Sequence, residues 1–106
     1  MIANIESIDP LYADDNMLVL QDINPQAPVH LLVIPKQHIA SIDEAELQDQ
    51  ALLGQMVLVA QKMARIQNLA SSGYRLVFNV KADGGQTVQH IHLHILGGRS
   101  MHWPPG

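Results

Sequence analysis

The chain has 106 residues, a length that suits one domain spanning 1–106. Its formal charge is −4 with histidines neutral, and no block of like charges occurs, which argues against a protein that lives on phosphate contacts to nucleic acid. The absence of cysteine removes disulfides, thiolate metal sites and thiol nucleophiles together, and it accords with a cytoplasmic location.

Taken in chain order, Met1 to Pro10 carries acids instead of a basic region and an apolar run, so it does not read as a signal peptide. Met17 to Gln21 reads as a short strand after the turn-like Ala13-Asp14-Asp15-Asn16. Two prolines make Asp22 to Pro28 a loop. His30 to Pro35 is a β-branched apolar run closed by proline, which predicts a buried strand. Ser41-Ile42-Asp43-Glu44 matches a capping box and predicts a long helix from about Glu44 to Asn68. Leu52, Met56, Val59, Met63 and Ile66 recur at helical spacing, widened by Leu53, Val57, Ala60 and Ala64. Gly73 suits a left-handed cap after the helix. Tyr74 to Val80 and Thr87 to Leu96 predict two more strands around the turn Lys81 to Gly85, and an irregular Gly/Pro tail follows from Gly97. The longest apolar run, Met56 to Ala60, is too short to cross a bilayer. This order predicts an α+β fold, an antiparallel sheet with one long helix on one face.

Six histidines equal the Lys plus Arg count, and three of them lie within five residues. On a strand spanning Thr87 to Leu96, His90, His92 and His94 would share one face, with Ile91, Leu93 and Ile95 on the other. The apolar set binds the strand to a core, and the histidine set needs a chemical reason. Two neighbouring rings can ligate one zinc ion, with His30 a possible third ligand. Protonated rings can bind an anion, but only below their pKa. Neutral imidazole is also a good nucleophile near pH 7, aided by neighbours that donate to the substrate or move protons. Asp83-Gly84-Gly85-Gln86-Thr87, just before the histidines, offers backbone N–H groups that can nest an anion. A soft nucleophile beside a phosphate cradle points to metal-independent attack on phosphorus, with no metal or cofactor required.

The run His90-Ile91-His92-Leu93-His94-Ile95-Leu96 resembles the alternating signature of the histidine triad (HIT) superfamily. The loop Asp22 to Pro28, the run His30 to Lys36, His38-Ile39, Gly73-Tyr74-Arg75, Asp83 to Gln86 and the tail from Leu96 through Met101-His102-Trp103-Pro104-Pro105-Gly106 are similar to its Hint branch, the histidine-triad nucleotide-binding proteins. The likeness spans roughly residues 13 to 106.

That resemblance implies a sheet of about five strands, extended across a homodimer, and a purine nucleoside phosphoramidase, an adenosine 5′-monophosphoramidase-like hydrolase with an AMP-like substrate. It implies that His92 is the nucleophile, that His94 contacts the phosphate, and that His90 and His30 orient rings or relay protons. Thr87 would bond the phosphate or leaving group, and Asp22 the ribose, with Ile23 lining the base pocket. Asn79, Gly85 and Gln86 would hold sugar and phosphate, and Trp103 would reach toward the partner's site. The rivals are a dinucleoside polyphosphate hydrolase of the Fhit type and a nucleotide-responsive interaction protein. Turn chemistry alone would also explain Asp22 and Asn79, tail anchoring would explain Trp103, and His38 reads as structural or exposed. Many members carry an extra N-terminal segment, for which this chain offers only Met1 to Leu11.

Overall fold

The computed structural model describes residues 9–106, so the reading of the first residues lies for the most part outside the described ones. Five strands, β1 (Tyr12–Ala13), β2 (Met17–Gln21), β3 (Val29–Pro35), β4 (Tyr74–Val77) and β5 (Leu93–Gly97), form one antiparallel sheet in the order β1-β2-β3-β5-β4. One helix, α1 (Gln50–Ile66), packs on it, as the α+β reading predicts.

Register sorts the sheet into two faces. β3 pairs with β5 from Val29↔Gly97 to Val33↔Leu93, and β4 with β5 from Tyr74↔Gly97 to Val77↔His94. Residues opposite one another share a face. Met17, Val19, Leu31, Val33, Leu93 and Ile95 therefore lie together, and they form the main core with Met56, Val59, Ala60, Met63 and Ala64 of the helix. The other face carries His30, Leu32 and Ile34 of β3 beside His94 and Leu96 of β5. Leu20, Leu32 and Ile34 make a second, smaller buried cluster there. The helix thus holds the sheet from behind and leaves the histidine face to the site.

The structure corrects several expected boundaries. The helix begins at Gln50, not near Glu44. Ser41 instead caps a single 3₁₀ turn, Ile42–Glu44, accepting from Asp43 N at 3.2 Å and donating to the Glu44 carboxylate. A second 3₁₀ turn, Leu47–Asp49, follows, with Glu46 N donating to Asp49 Oδ2 at 2.9 Å. Two cap-like sequences in tandem stop the first from propagating. At the far end the left-handed position falls to Asn68 (φ 61°), with Leu69 N closing onto Ala64 O at 2.9 Å. Gly73 is also left-handed but belongs to the next turn. Ile66 is exposed at 57 %, because a stripe repeating every 3.5 residues drifts off the face of a 3.6-residue helix, and Val57, at the edge of the stripe, is exposed at 43 %.

The short strand β1 carried no clear sequence signal. Asp14 builds its turn, accepting from Asn16 N (2.8 Å), Met17 N (2.7 Å) and the Tyr12 hydroxyl (2.8 Å).

Candidate active site

β4 ends at Val77 and β5 begins at Leu93, so the expected strands to Val80 and from Thr87 are both shorter. The two chains part beyond the Val77↔His94 pair, and a cavity of about 320 Å³ is lined by residues from this parting. Asp22, Asn24, Gln26, His30, Leu32, Asn79, Gly85, Thr87, Val88, His92 and His94 line it. The alternation nonetheless continues through Ile91 and His92, with Ile91, Leu93 and Ile95 in the core and His92 and His94 on the cavity, and only His90 departs from it.

Of the triad, His92 and His94 face the cavity, with ring centroids 5.0 Å apart, and His30 joins them from β3 at 5.2 Å from His94. His90 does not line it. Its ring is buried, with Nε2 at 2.8 Å from the Pro35 carbonyl oxygen and Nδ1 at 2.9 Å from His38 Nδ1. Sequence reasoning left His38 outside the chemistry, and no periodicity could have paired it with His90.

The partners fix the tautomers. The backbone N–H of Gln26 donates to His30 Nδ1 at 3.0 Å, so the proton of the neutral ring sits on Nε2. That N–H faces His94 Nδ1 at 2.9 Å and donates to it, which puts the His94 proton on Nε2. At the other end, His92 Nδ1 donates to the His90 carbonyl oxygen at 2.8 Å. A neutral His92 then carries its lone pair on Nε2. The row thus presents one lone pair, on His92, next to one N–H donor, on His94.

Burial, mainly, depresses the basicity of these rings. It holds His30 below the ordinary histidine value, against the pull of Asp22, whose Oδ2 is 3.4 Å from Nε2. It pushes His94 down to about 4, helped by His92 and His30 and opposed by Asp22. His90 is lowered by burial, opposed by its bond to Pro35. All three rings stay neutral near pH 7, which weakens the reading as protonated anion binders. Each folded value lies below the unfolded one, about 6.5. As pH falls from there toward 4, the unfolded chain takes up protons that the folded chain resists, so stability is full above the window and declines within it. The urea midpoint is expected to be lower at about pH 5 than at about pH 7.5. An unchanged midpoint would contradict the neutral network.

Asp22, His30 and His94 bring three donor atoms within 4.8 Å of one another, close enough to consider a metal ion. The hydrogen bond from Gln26 disfavours one. A metal on His30 Nε2 would move the ring proton to Nδ1, where it would meet the Gln26 N–H. The atoms suit a shared proton better than an ion.

The remaining candidates divide. Asp22 Oδ1 closes a turn by accepting from Asn24 N at 2.8 Å, while Oδ2 turns to His30, so this residue does turn chemistry and still lines the cavity. Asn79 Nδ2 donates to Gly84 O at 2.7 Å, holding the 81–86 turn from within. Gly85 and Thr87 line the cavity, but the N–H groups of Gly85 and Gln86 bond Ala82 O and Lys81 O, so the expected nest is already engaged in its own turn. Gly84 is required there, because a Cβ would lie 2.7 Å from Val80 N and closer still to its carbonyl oxygen. Gln86 does not face the cavity. Its side chain accepts from Lys81 N (2.8 Å) and donates to Ala40 O (2.7 Å) and Val88 O (3.0 Å), stapling the loop. Ile23 is 98 % exposed and Trp103 84 %, and neither lines the cavity. The tail is tied to β4 by Arg75, which donates to His102 O at 2.7 Å. Asn24, Gln26, Leu32 and Val88 were not foreseen as lining residues.

An antiparallel sheet backed by one helix, with paired histidines beside a small cavity, defines a class, and comparison with known proteins agrees. The HIT domain pattern matches residues 6–101, and the chain belongs to the HIT domain family. It is 53 % identical over 98 residues to a HIT-like protein of Synechococcus elongatus, covering 92 % of this chain and 85 % of that one. A HIT family hydrolase from Legionella pneumophila Philadelphia 1 superposes with a TM-score of 0.95 at 49 % identity, covering 100 % of this chain and 98 % of that one. A histidine triad protein from Clostridium difficile gives 0.88 at 36 % identity, covering 95 % and 89 %.

Proposed function

We propose that this chain is a single HIT domain of the Hint branch and hydrolyses purine nucleoside phosphoramidates at the α-phosphorus through a nucleotidyl-histidine. The observation that carries this is the His92 Nδ1 bond to the His90 carbonyl, which leaves the Nε2 lone pair beside the cavity and the His94 donor. The HIT family hydrolase from Legionella is consistent with hydrolysis. The cavity volume falls within the roughly 300–1,000 Å³ of small-molecule sites.

In this reading Asp22 meets the ribose, and Asn79, Gly85 and Thr87 flank the sugar and phosphate. His92 Nε2 forms a bond to phosphorus as the P–N bond breaks, and the amine leaves with a proton taken from solvent. Its ring then carries positive charge, which the His90 carbonyl stabilises through Nδ1–H. Water next attacks phosphorus, the P–Nε2 bond breaks, the water's proton returns to solvent, and the nucleoside monophosphate departs. His94 Nε2–H donates to a non-bridging phosphoryl oxygen in both steps. His30 holds the His94 tautomer, and His90 supports His92 from outside the cavity. The burial and occupied bonds of Gln86 make it a loop staple, and Ile23 and Trp103 meet substrate only if a second copy brings them near. β4 is an edge strand of the described sheet, and a homodimer joined there would extend it.

Turnover of an adenosine phosphoramidate is to be compared with that of diadenosine polyphosphates. A preference of at least about tenfold in kcat/KM for the phosphoramidate is expected, about 1.4 kcal/mol in transition-state binding. A preference of that size for the polyphosphates would replace this reading with the Fhit-type one.

A further inference from the structure

We infer that His38, an exposed residue outside the cavity, is a positioning residue that aims the His92 lone pair by donating to buried His90 and so anchoring its ring. This rests on His92 as the attacking group. The segment bearing His90 and His92 precedes β5 and lacks its ladder bonds. What holds it instead comes largely from neighbouring residues 35, 38 and 39. Ile91 N donates to Ile39 O at 2.7 Å, and the His90 ring lies between Pro35 O (2.8 Å) and His38 Nδ1 (2.9 Å).

The direction of each bond follows from its acceptor. Pro35 O can only accept, so the His90 proton sits on Nε2 and its Nδ1 must accept. The donor is then His38 Nδ1–H. Without His38 the His90 Nδ1 loses its donor, and the ring is held at Pro35 O alone. The backbone at His90 loosens with its ring, and the carbonyl of that residue is what holds His92 Nδ1 at 2.8 Å. His38 itself is exposed, so its side chain can be exchanged without opening a cavity in the core.

The test uses His38→Ala and His38→Asn, whose amide can restore an N–H donor. Nitrogen NMR of the imidazole rings reads the tautomers, and single-turnover mass spectrometry with an adenosine phosphoramidate reads formation of the nucleotidyl adduct. In His38→Ala, the His90 Nδ1 resonance is expected to shift as that nitrogen loses its donor. Adduct formation should slow by about tenfold, the order of one net hydrogen bond, with substrate affinity unchanged. His38→Asn should recover most of both. Wild-type adduct rates in His38→Ala, or an unchanged His90 Nδ1 resonance there, would overturn the inference. Should the wild type form no adduct, the nucleophile reading fails, and the spectra alone decide. A His92 Nδ1–H form present in the wild type and lost in His38→Ala sustains the coupling, and identical spectra refute it.

Discussion

His92→Ala is expected to form no nucleotidyl adduct and to lose turnover by a factor of about 10⁴ or more, the scale seen when a covalent nucleophile is removed. The magnitude follows from what no neighbour can replace. His94 presents an N–H where His92 presents a lone pair, because His30 donates to the other His94 nitrogen. His30 is itself locked by Gln26 N, and His90 by Pro35 and His38. Of the four rings, only His92 has a free lone pair directed at the cavity. Intact-mass measurement during a single turnover should show one added nucleotidyl group on the wild type and none on the variant. The His92 side chain is partly exposed, so the variant should remain folded, which circular dichroism checks. Undiminished turnover in His92→Ala would mean that the row serves some other chemistry.

The sequence was most informative where one face of an element is buried. MLVLQ and the run ending at Pro35 became β2 and β3 because their apolar residues meet α1 across the sheet. Met56, Val59 and Met63 were readable as core for the same reason. Reading was poorer at the ends of elements, where competing side-chain bonds decide. Glu46 and Asp49 moved the helix start past Ser41, and Asn68 took the cap expected of Gly73. At the site, type and spacing picked out His92 and His94, but not the bond to the carbonyl two residues back that aims the His92 ring. The His38–His90 pair joins positions 52 apart, and the Gln86 staple reaches back 46 residues to Ala40. Contacts of that range leave no periodic trace in a single chain. The parting of β4 from β5 is equally silent, since Phe78 to Val80 and Thr87 to His92 both carry strand-like residues.

His94→Ala is expected to slow both formation and hydrolysis of the adduct by about 10²–10³-fold, the loss of one preorganised donor to a charged phosphoryl oxygen. Two roles compete for this ring. A general acid would hand its proton to the leaving nitrogen and so assist only the first step. The network argues against that role. The His94 value of about 4 keeps the ring neutral, and a neutral ring that gave up Nε2–H would become an anion. His30 cannot readily resupply it, because its own Nδ1 is held as an acceptor by Gln26 N. Donation without transfer costs nothing of this kind and serves both steps, since charge builds on the same oxygens each time. A nucleoside 5′-(4-nitrophenyl phosphate) separates the two, because its leaving group departs without a proton. The loss in His94→Ala should match that for the phosphoramidate to within about threefold. A loss confined to the amine substrate and to the first step would instead make His94 the acid, and the His30–His94 proton would then have to move during turnover.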